Sequence, residues 1–234
     1  MPMYERGDST GAAVTLEWAD GVSWMAHPDE AGERGSHAIR TEEGVWLLDP
    51  LGAPNVAELL DSLGEVAGVA ALSAYHARDA GTLARRYDVP VSIPTWMDRV
   101  AERVDAPVER YTLAPGGPDA GFEILPCRPF PGWQEVFLYH EPTRTLVTPD
   151  SLGTSGVHLV DEERLGLSAL RRLQPPRQLA GLTPDRILPG HGAPLTEDAG
   201  EALAAALDNP RRTFPTALAE NGAEGVRALV GALR

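Results

Sequence analysis

Short apolar segments recur along this chain, and four of them end in a side chain that can bind a metal ion. The four are Val45-Trp-Leu-Leu-Asp49, Leu72-Ser-Ala-Tyr-His76, Leu146-Val-Thr-Pro-Asp150 and Ile187-Leu-Pro-Gly-His191. Because strand ends of one sheet converge on one edge, residues far apart in sequence can share a site there. The pattern therefore predicts a β-rich domain with its functional site at a sheet edge.

Apolar spacing and turn residues predict the other elements. Strands are expected at 14–25, 36–49 (a hairpin), 69–73, 89–93, 107–112, 121–127, 135–140, 144–148 and 186–188, and helices at 54–63, 79–87, 197–207 and 213–233. Since strands dominate each half and helices flank them, we expect an α/β sandwich of two sheets with helices outside. We expect one domain over residues 1–234. Its helical extension at 211–234 packs on the domain or forms a homodimer face.

Charge and composition exclude several classes of function. The net charge of −14 argues against nucleic acid or an anionic membrane as a partner. The apolar runs are too short to cross a bilayer, and the first residues show no signal segment, so we expect a cytoplasmic protein. All 20 basic residues are arginine, which removes lysine Schiff-base and P-loop chemistry. A GC-rich genome or a high-salt cytoplasm would each explain the missing lysine.

The single cysteine, Cys127, rules out an intrachain disulfide and a thiolate zinc cluster. We expect a buried, inert thiol at the end of a strand. Ser151 lacks the Gly-x-Ser-x-Gly turn of a serine hydrolase, so we do not expect that class of enzyme.

The order of these residues resembles the metallo-β-lactamase superfamily over roughly residues 14–208. The resemblance implies an αββα four-layer sandwich that uses zinc, iron or manganese, mainly for hydrolysis. The early hairpin ending in Asp49-Pro matches the family's first feature, and Asp150 stands at its bridging aspartate. Gly190-His191-Gly192 matches the final Gly-His-Gly, which a helix follows.

The family's His-x-His-x-Asp-His run is only partly retained. With Gly81 as the anchor, Ala74 stands at the first histidine and His76 at the second. Arg78 stands at the aspartate and Asp79 at the last histidine. One of these four ligands is thus kept, and Asp79 is a plausible substitute for another.

These departures remove most of one metal position and leave most of the other. The position that the family builds from three histidines keeps only His76, since Trp133 and an alanine replace its partners. One imidazole does not hold zinc firmly. The other position keeps Asp150 and His191, with Asp79 as a substitute ligand. The resemblance thus implies metal ligands among His76, Asp79, Asp150 and His191, for one zinc, manganese or iron ion.

Arg78 decides between a metal and a metal-free site. At about 4 Å and an effective dielectric near 20, its guanidinium would repel a divalent ion by several kcal/mol. Alternatively, Arg78 pairs with Asp79 or Asp150 in a bidentate salt bridge that replaces the metal. One bound ion and no bound ion both stay open.

Two functions fit this partial ligand set. The first is a non-catalytic descendant with a degenerate metal site that binds a small acid or a protein partner. The second is a hydrolase of a small ester, thioester or anionic metabolite, with one metal and with His76, Arg78 and Asp150 at the reacting centre. In both, a small anionic molecule is the expected ligand.

The remaining histidines and arginines carry weaker expectations. His37 opens the second strand of the hairpin, where we expect a structural role. His27, His140 and His158 fall in loop or hairpin contexts, and we expect them to be exposed. The segment Arg171–Arg177 predicts a rigid, solvated loop whose arginines satisfy nearby acids; the alternative is an anion clamp over the site.

Overall fold

Two facing β-sheets carry the core of the computed structural model, which describes residues 2–112 and 121–220. The strands are β1 (Ala13–Trp18), β2 (Gly21–Met25), β3 (Gly35–Thr41), β4 (Gly44–Leu48), β5 (Val66–Ala70), β6 (Val91–Pro94), β7 (Val108–Tyr111), β8 (Phe122–Cys127), β9 (Glu135–His140), β10 (Thr145–Thr148), β11 (Leu152–Gly153), β12 (Gly166–Leu167) and β13 (Arg186–Pro189). The helices are α1 (Val56–Asp61), α2 (Ala80–Tyr87), α3 (Asp98–Ala101), α4 (Ala169–Leu173) and α5 (Ala199–Leu207).

The larger sheet has seven strands in the order β1 to β7. Strands β1 to β4 pair antiparallel, and β4 to β7 pair parallel through crossovers that contain α1, α2 and α3. All four residues of β6 are buried, as expected of a parallel strand covered on both faces. The carboxyl ends of β4, β5 and β6 therefore point to the same edge.

The smaller sheet has the order β13-β10-β9-β8, with β10 and β13 parallel. Its inward residues Val136, Leu138 and Val147 share one core cluster with the larger sheet and its helices. Its opposite face packs on α5 through Phe137 and Leu203. The layers are thus helix, sheet, sheet and helix. None of the helices in the described ranges has the length and apolar character needed to cross a membrane.

The predicted α/β sandwich is confirmed, while several boundaries change. Residues 14–25 form a hairpin, β1 and β2, because Asp20-Gly21 supplies a tight turn. Helix α3 and the strand pair β11–β12 were not predicted. The predicted C-terminal helix is described only for residues 214–220, so the proposed dimer face beyond it lies outside the described residues.

His37 has the structural role expected of it, joining three strands of the two sheets. It is 1% exposed. Ser23 Oγ on β2 lies 2.8 Å from its Nδ1, and its Nε2 donates to the carbonyl oxygen of Pro189 on β13 at 3.1 Å. Burial, reinforced by the charge of Arg78, lowers the pKa of His37 from 6.5 to about 4. The imidazole is therefore neutral in the folded protein at neutral pH.

This burial predicts a pH-dependent stability. The unfolded chain binds a proton at His37 below pH 6.5 and the folded chain does so only near pH 4, so the contribution present above pH 6.5 is lost between these values. The loss amounts to at most about 3 kcal/mol. Guanidinium unfolding of His37→Gln across this window should show a shallower pH dependence than the unmodified protein. His27→Gln, at a partly buried loop position, is the control and should keep the original slope; parallel curves for His37→Gln would contradict the prediction.

Candidate metal centre

The side chains at the strand ends meet where the two sheets come together. His76 and His191 follow β5 and β13, and Asp150 follows β10. Their ligand atoms all lie within 4.8 Å of one another. Close packing enforces this: a Cβ on Gly190 would lie 2.5 Å from the carbonyl oxygen of Pro149, so only glycine fits there. The predicted convergence of these three residues is confirmed.

Both histidines contact the same carboxylate oxygen of Asp150. Its Oδ1 lies 3.0 Å from His76 Nε2 and 3.3 Å from His191 Nε2. The imidazoles are 4% and 5% exposed. The remaining oxygen, Oδ2, accepts a hydrogen bond from Ser73 Oγ. Both carboxylate oxygens are therefore committed, and Oδ1 is the centre of the cluster.

In both His76 and His191, the ring nitrogen that faces away from Asp150, Nδ1, has a partner of its own. His76 Nδ1 contacts Asp49 Oδ2 at 2.6 Å, and His191 Nδ1 donates to the carbonyl oxygen of Gly32 at 2.7 Å. Asp49 is itself fixed, because its Oδ1 accepts from the amide of Leu72 at 2.7 Å. Such contacts set the tautomer of a metal-binding histidine and aim its Nε2 at the ion.

Buried charges in the cluster stabilise one another. Burial favours the protonated form of Asp150, but the facing imidazoles of His76 and His191 outweigh it and hold the pKa of that carboxyl well below its usual range. Burial and Arg78 disfavour a charged His76, yet the carboxylates of Asp150 and Asp49 outweigh them and raise the pKa of that imidazole. The two carboxylates therefore favour the protonated form of the His76 imidazole.

Arg78 enters the site but forms no bidentate salt bridge with Asp79 or Asp150. The alternative in which such a salt bridge replaces the metal is therefore not what the structure has. Its Nη1 donates to the carbonyl oxygens of Gly35 and Asp49, the latter at 2.7 Å. Nη2 donates to the carbonyl oxygen of Gly190 at 3.0 Å and lies 3.3 Å from His76 Nε2. Backbone carbonyls from three strand ends hold the guanidinium, so its charge stays beside His76.

The prediction of Asp79 as a fourth ligand does not fit this structure. Asp79 precedes the first residue of α2, and its Oδ2 accepts from the backbone amide of Gly52 at 2.8 Å. It does not belong to the ligand group formed by the described histidines and acids. Its carboxylate closes the loop after β4, and His76 takes the third place in the cluster.

The donor set of His76, Asp150 and His191 fits one divalent metal. Ligand atoms around a tetrahedral zinc at about 2.0–2.1 Å lie roughly 3.3 Å apart, close to the separations of 3.0 and 3.3 Å seen here. Two imidazoles and one carboxylate also suit non-haem iron. The chemistry of the donors therefore fits one ion, and the positive charge of Arg78 lies beside it.

Two of the histidines expected to be exposed are buried. His140 and His158 are each 4% exposed. The His158 ring stacks on that of His191 at 5.7 Å, and its Nε2 donates to the carbonyl oxygen of Asp150 at 3.2 Å. Burial lowers the pKa of His158 to about 4. A loop context in sequence did not reveal the stacking of His158, because His191 lies much later in the chain.

The arginines of α4 are neither in a solvated loop nor a clamp over the site. Arg171 and Arg172 are each 1% exposed. Arg171 Nε donates to Ser151 Oγ at 2.7 Å. Arg172 pairs with both oxygens of Glu163 at 2.7 Å, as the expectation of nearby acids required. Both guanidinium groups thus serve the packing of the loops behind Asp150.

Three residues near the site were missed from sequence. The ring of Tyr4, ahead of β1, lies 6.2 Å from that of His191 and stacks with Arg34 at 5.3 Å. Ser73 contacts Asp150, as described above, and the buried Glu135 accepts from the Asp150 amide at 3.0 Å. Only the position of Ser73 next to the His76 segment offered a sequence clue.

Comparison with solved structures identifies the fold. No protein-family model matches the chain, and a search of curated proteins gave no match. A metallo-β-lactamase from Pontibacter korlensis aligns over 85% of this chain and 99% of its own, with a TM-score of 0.59 and 17% identity.

Two further structures agree. The metallo-β-lactamase TMB-1 aligns over 87% of this chain and 98% of its own, with a TM-score of 0.60 and 11% identity. TTHA1623 in a di-iron-bound form aligns over 85% and 98%, with a TM-score of 0.53 and 20% identity. These likenesses, over most of both chains in each case, show that this protein has the metallo-β-lactamase fold.

Proposed function

We propose that this protein binds one divalent metal ion between His76, Asp150 and His191 and hydrolyses a small anionic ester or thioester there. One observation supports it above all: Nε2 of both histidines reaches the same oxygen of Asp150. The back-side contacts of both Nδ1 atoms leave Nε2 as the nitrogen available to an ion.

Arg78 explains why one ion is proposed rather than two. In the register of the metallo-β-lactamase motif it stands where a metal-binding carboxylate is expected, so the substitution exchanges a negative charge for a positive one. Its guanidinium, fixed beside His76 Nε2 at 3.3 Å, lies near the reacting centre. The same charge would favour a substrate that carries a carboxylate or phosphate.

The chain's own residues have definite tasks in this proposal. An ion bound here would lower the pKa of a water molecule and polarise an ester carbonyl. His76, His191 and Asp150 hold their donor atoms within 4.8 Å of one another, and Asp49 and the carbonyl of Gly32 keep the two imidazoles oriented.

A second candidate is a non-catalytic site without metal that binds a small acid. It is favoured by the balance of charge: the carboxylates of Asp49 and Asp150 face Arg78 and a His76 whose pKa is raised. Elemental analysis after expression with supplemented zinc, manganese and iron separates the two candidates. Absence of all three metals would favour this second one.

The proposed function first predicts the metal content of the protein. Purified protein should contain about one zinc, manganese or iron ion per chain, and His191→Ala should contain none, since two remaining ligands do not hold an ion firmly. Plasma mass spectrometry measures both. His27→Ala removes a histidine outside the ligand group and should keep the ion; equal metal in all three proteins would place the ion elsewhere.

Charge at Arg78 gives a second prediction. Arg78→Gln keeps a donor for the surrounding carbonyls and removes the positive charge, so zinc affinity measured by calorimetry should rise at least tenfold, about 1.4 kcal/mol. Arg40→Gln, on β3 and bonded to the carbonyls of Ser62 and Leu63, is the matched control. Unchanged affinity in Arg78→Gln would show that Arg78 does not repel the ion.

Hydrolysis is the third prediction. Zinc-loaded protein should cleave small esters and thioesters that carry a carboxylate faster than neutral analogues, because Arg78 attracts the anion. Asp150→Asn should reduce the rate to that of protein-free buffer, whereas His27→Ala should not change it. A metal-loaded protein inactive on the whole panel would leave metal binding intact and refute the hydrolase.

A further inference from the structure

A short stretch of backbone pairing ties the two sheets together beside the metal centre. Ser73, after β5, forms an antiparallel bridge with Glu135 at the start of β9. The amide of Val136 donates to the carbonyl of Leu72 at 2.8 Å, and that of Ala74 to the carbonyl of Gln134 at 2.9 Å. Ser73 and Glu135 are thus fixed opposite each other at the junction.

The Glu135 carboxylate accepts hydrogen bonds from the loop that contains Asp150. It is fully buried, and its Oε2 accepts from the amides of Asp150 and Ser151, each at 3.0 Å. Its Oε1 accepts from Trp133 Nε1 at 2.8 Å and from Ser151 Oγ. Four donors from two loops thus converge on one carboxylate. A residue that only filled space would be apolar, so this buried carboxylate is there to bind those donors.

Glu135 and Ser73 together bind both the backbone and the side chain of Asp150. Glu135 binds its backbone amide, and Ser73 Oγ donates to Oδ2 of its side chain. With Oδ2 occupied, rotation of the carboxylate is restricted, and Oδ1 stays between the two histidines. The bridge therefore fixes both the place and the orientation of the central ligand.

We propose that Glu135 and Ser73 are positioning residues that hold Asp150 for metal binding. The metal readout of this inference rests on the proposed function, while the orientation of Asp150 does not. Trp133, at the position of a missing histidine ligand, belongs to the same network through Glu135. The loop that carries Trp133 in place of a histidine thus helps to hold Asp150.

The test compares Ser73→Ala and Glu135→Gln with the unmodified protein. Loss of a contact that orients a metal ligand costs about 10- to 100-fold in affinity, so zinc binding by calorimetry should weaken by that factor in both variants. The visible spectrum of the cobalt-substituted protein should change as well, because it reports ligand geometry, which a stability defect alone does not alter. Ser92→Ala removes a buried hydroxyl on β6 and should leave both measurements unchanged.

A second measurement works without metal. Nitrogen NMR shifts of the His76 and His191 rings in the metal-free protein should change in Ser73→Ala, because Oδ1 of Asp150 no longer has a fixed direction, and should stay the same in Ser92→Ala. If the unmodified protein binds no metal, the proposed function fails and these shifts alone decide the positioning role. Unmodified-like ring shifts in Ser73→Ala would overturn it, as would unmodified-like zinc affinity and cobalt spectra in both variants.

Discussion

The Asp150 carboxylate, partly buried at the junction of the two sheets, is the group on which the site depends. A carboxylate largely removed from water is stabilised only if donors surround it, and strand ends from both sheets supply them here. His76 and Ser73 come from the larger sheet's edge, and His191 follows a strand of the smaller one. The backbone of the same residue is held by Glu135. The packing that joins the two sheets therefore also brings these side chains together.

Arg78 brings a positive charge into the site, and the backbone around it accommodates that charge. Carbonyl oxygens of Gly35, Asp49 and Gly190 surround its guanidinium, so the backbone at three strand ends takes the part of a counter-ion. Moving the side chain would remove a charged donor from all three carbonyls, although those of Gly190 and Asp49 also accept from the Gly35 amide and from Ser36 Oγ. The cation is thus a fixed part of the site.

The sequence was sufficient for the sandwich and for the convergence of three of the four residues expected at the site, because apolar strands and the residues that follow them form local patterns. It failed for Asp79, whose partner is the amide of Gly52, 27 residues earlier. His158 was misassigned for the same reason, since its ring packs on His191. Glu135 looked like an ordinary strand residue. Contacts made between distant loops leave no local pattern, and they decide which polar residues are buried.

The two candidate functions differ in what balances the charge at His76 Nε2. A proton there satisfies Asp150 and leaves the cluster nearly neutral beside Arg78. A divalent ion needs the lone pair of the same nitrogen, so its binding must displace that proton and tolerate the guanidinium as well. The guanidinium of Arg78, 3.3 Å from the same nitrogen, would lower the affinity of this site for a divalent ion. The contacts of Asp49 with His76 and of Ser73 with Asp150 hold the same geometry for either occupant, so the choice between proton and metal depends on charge at His76 Nε2.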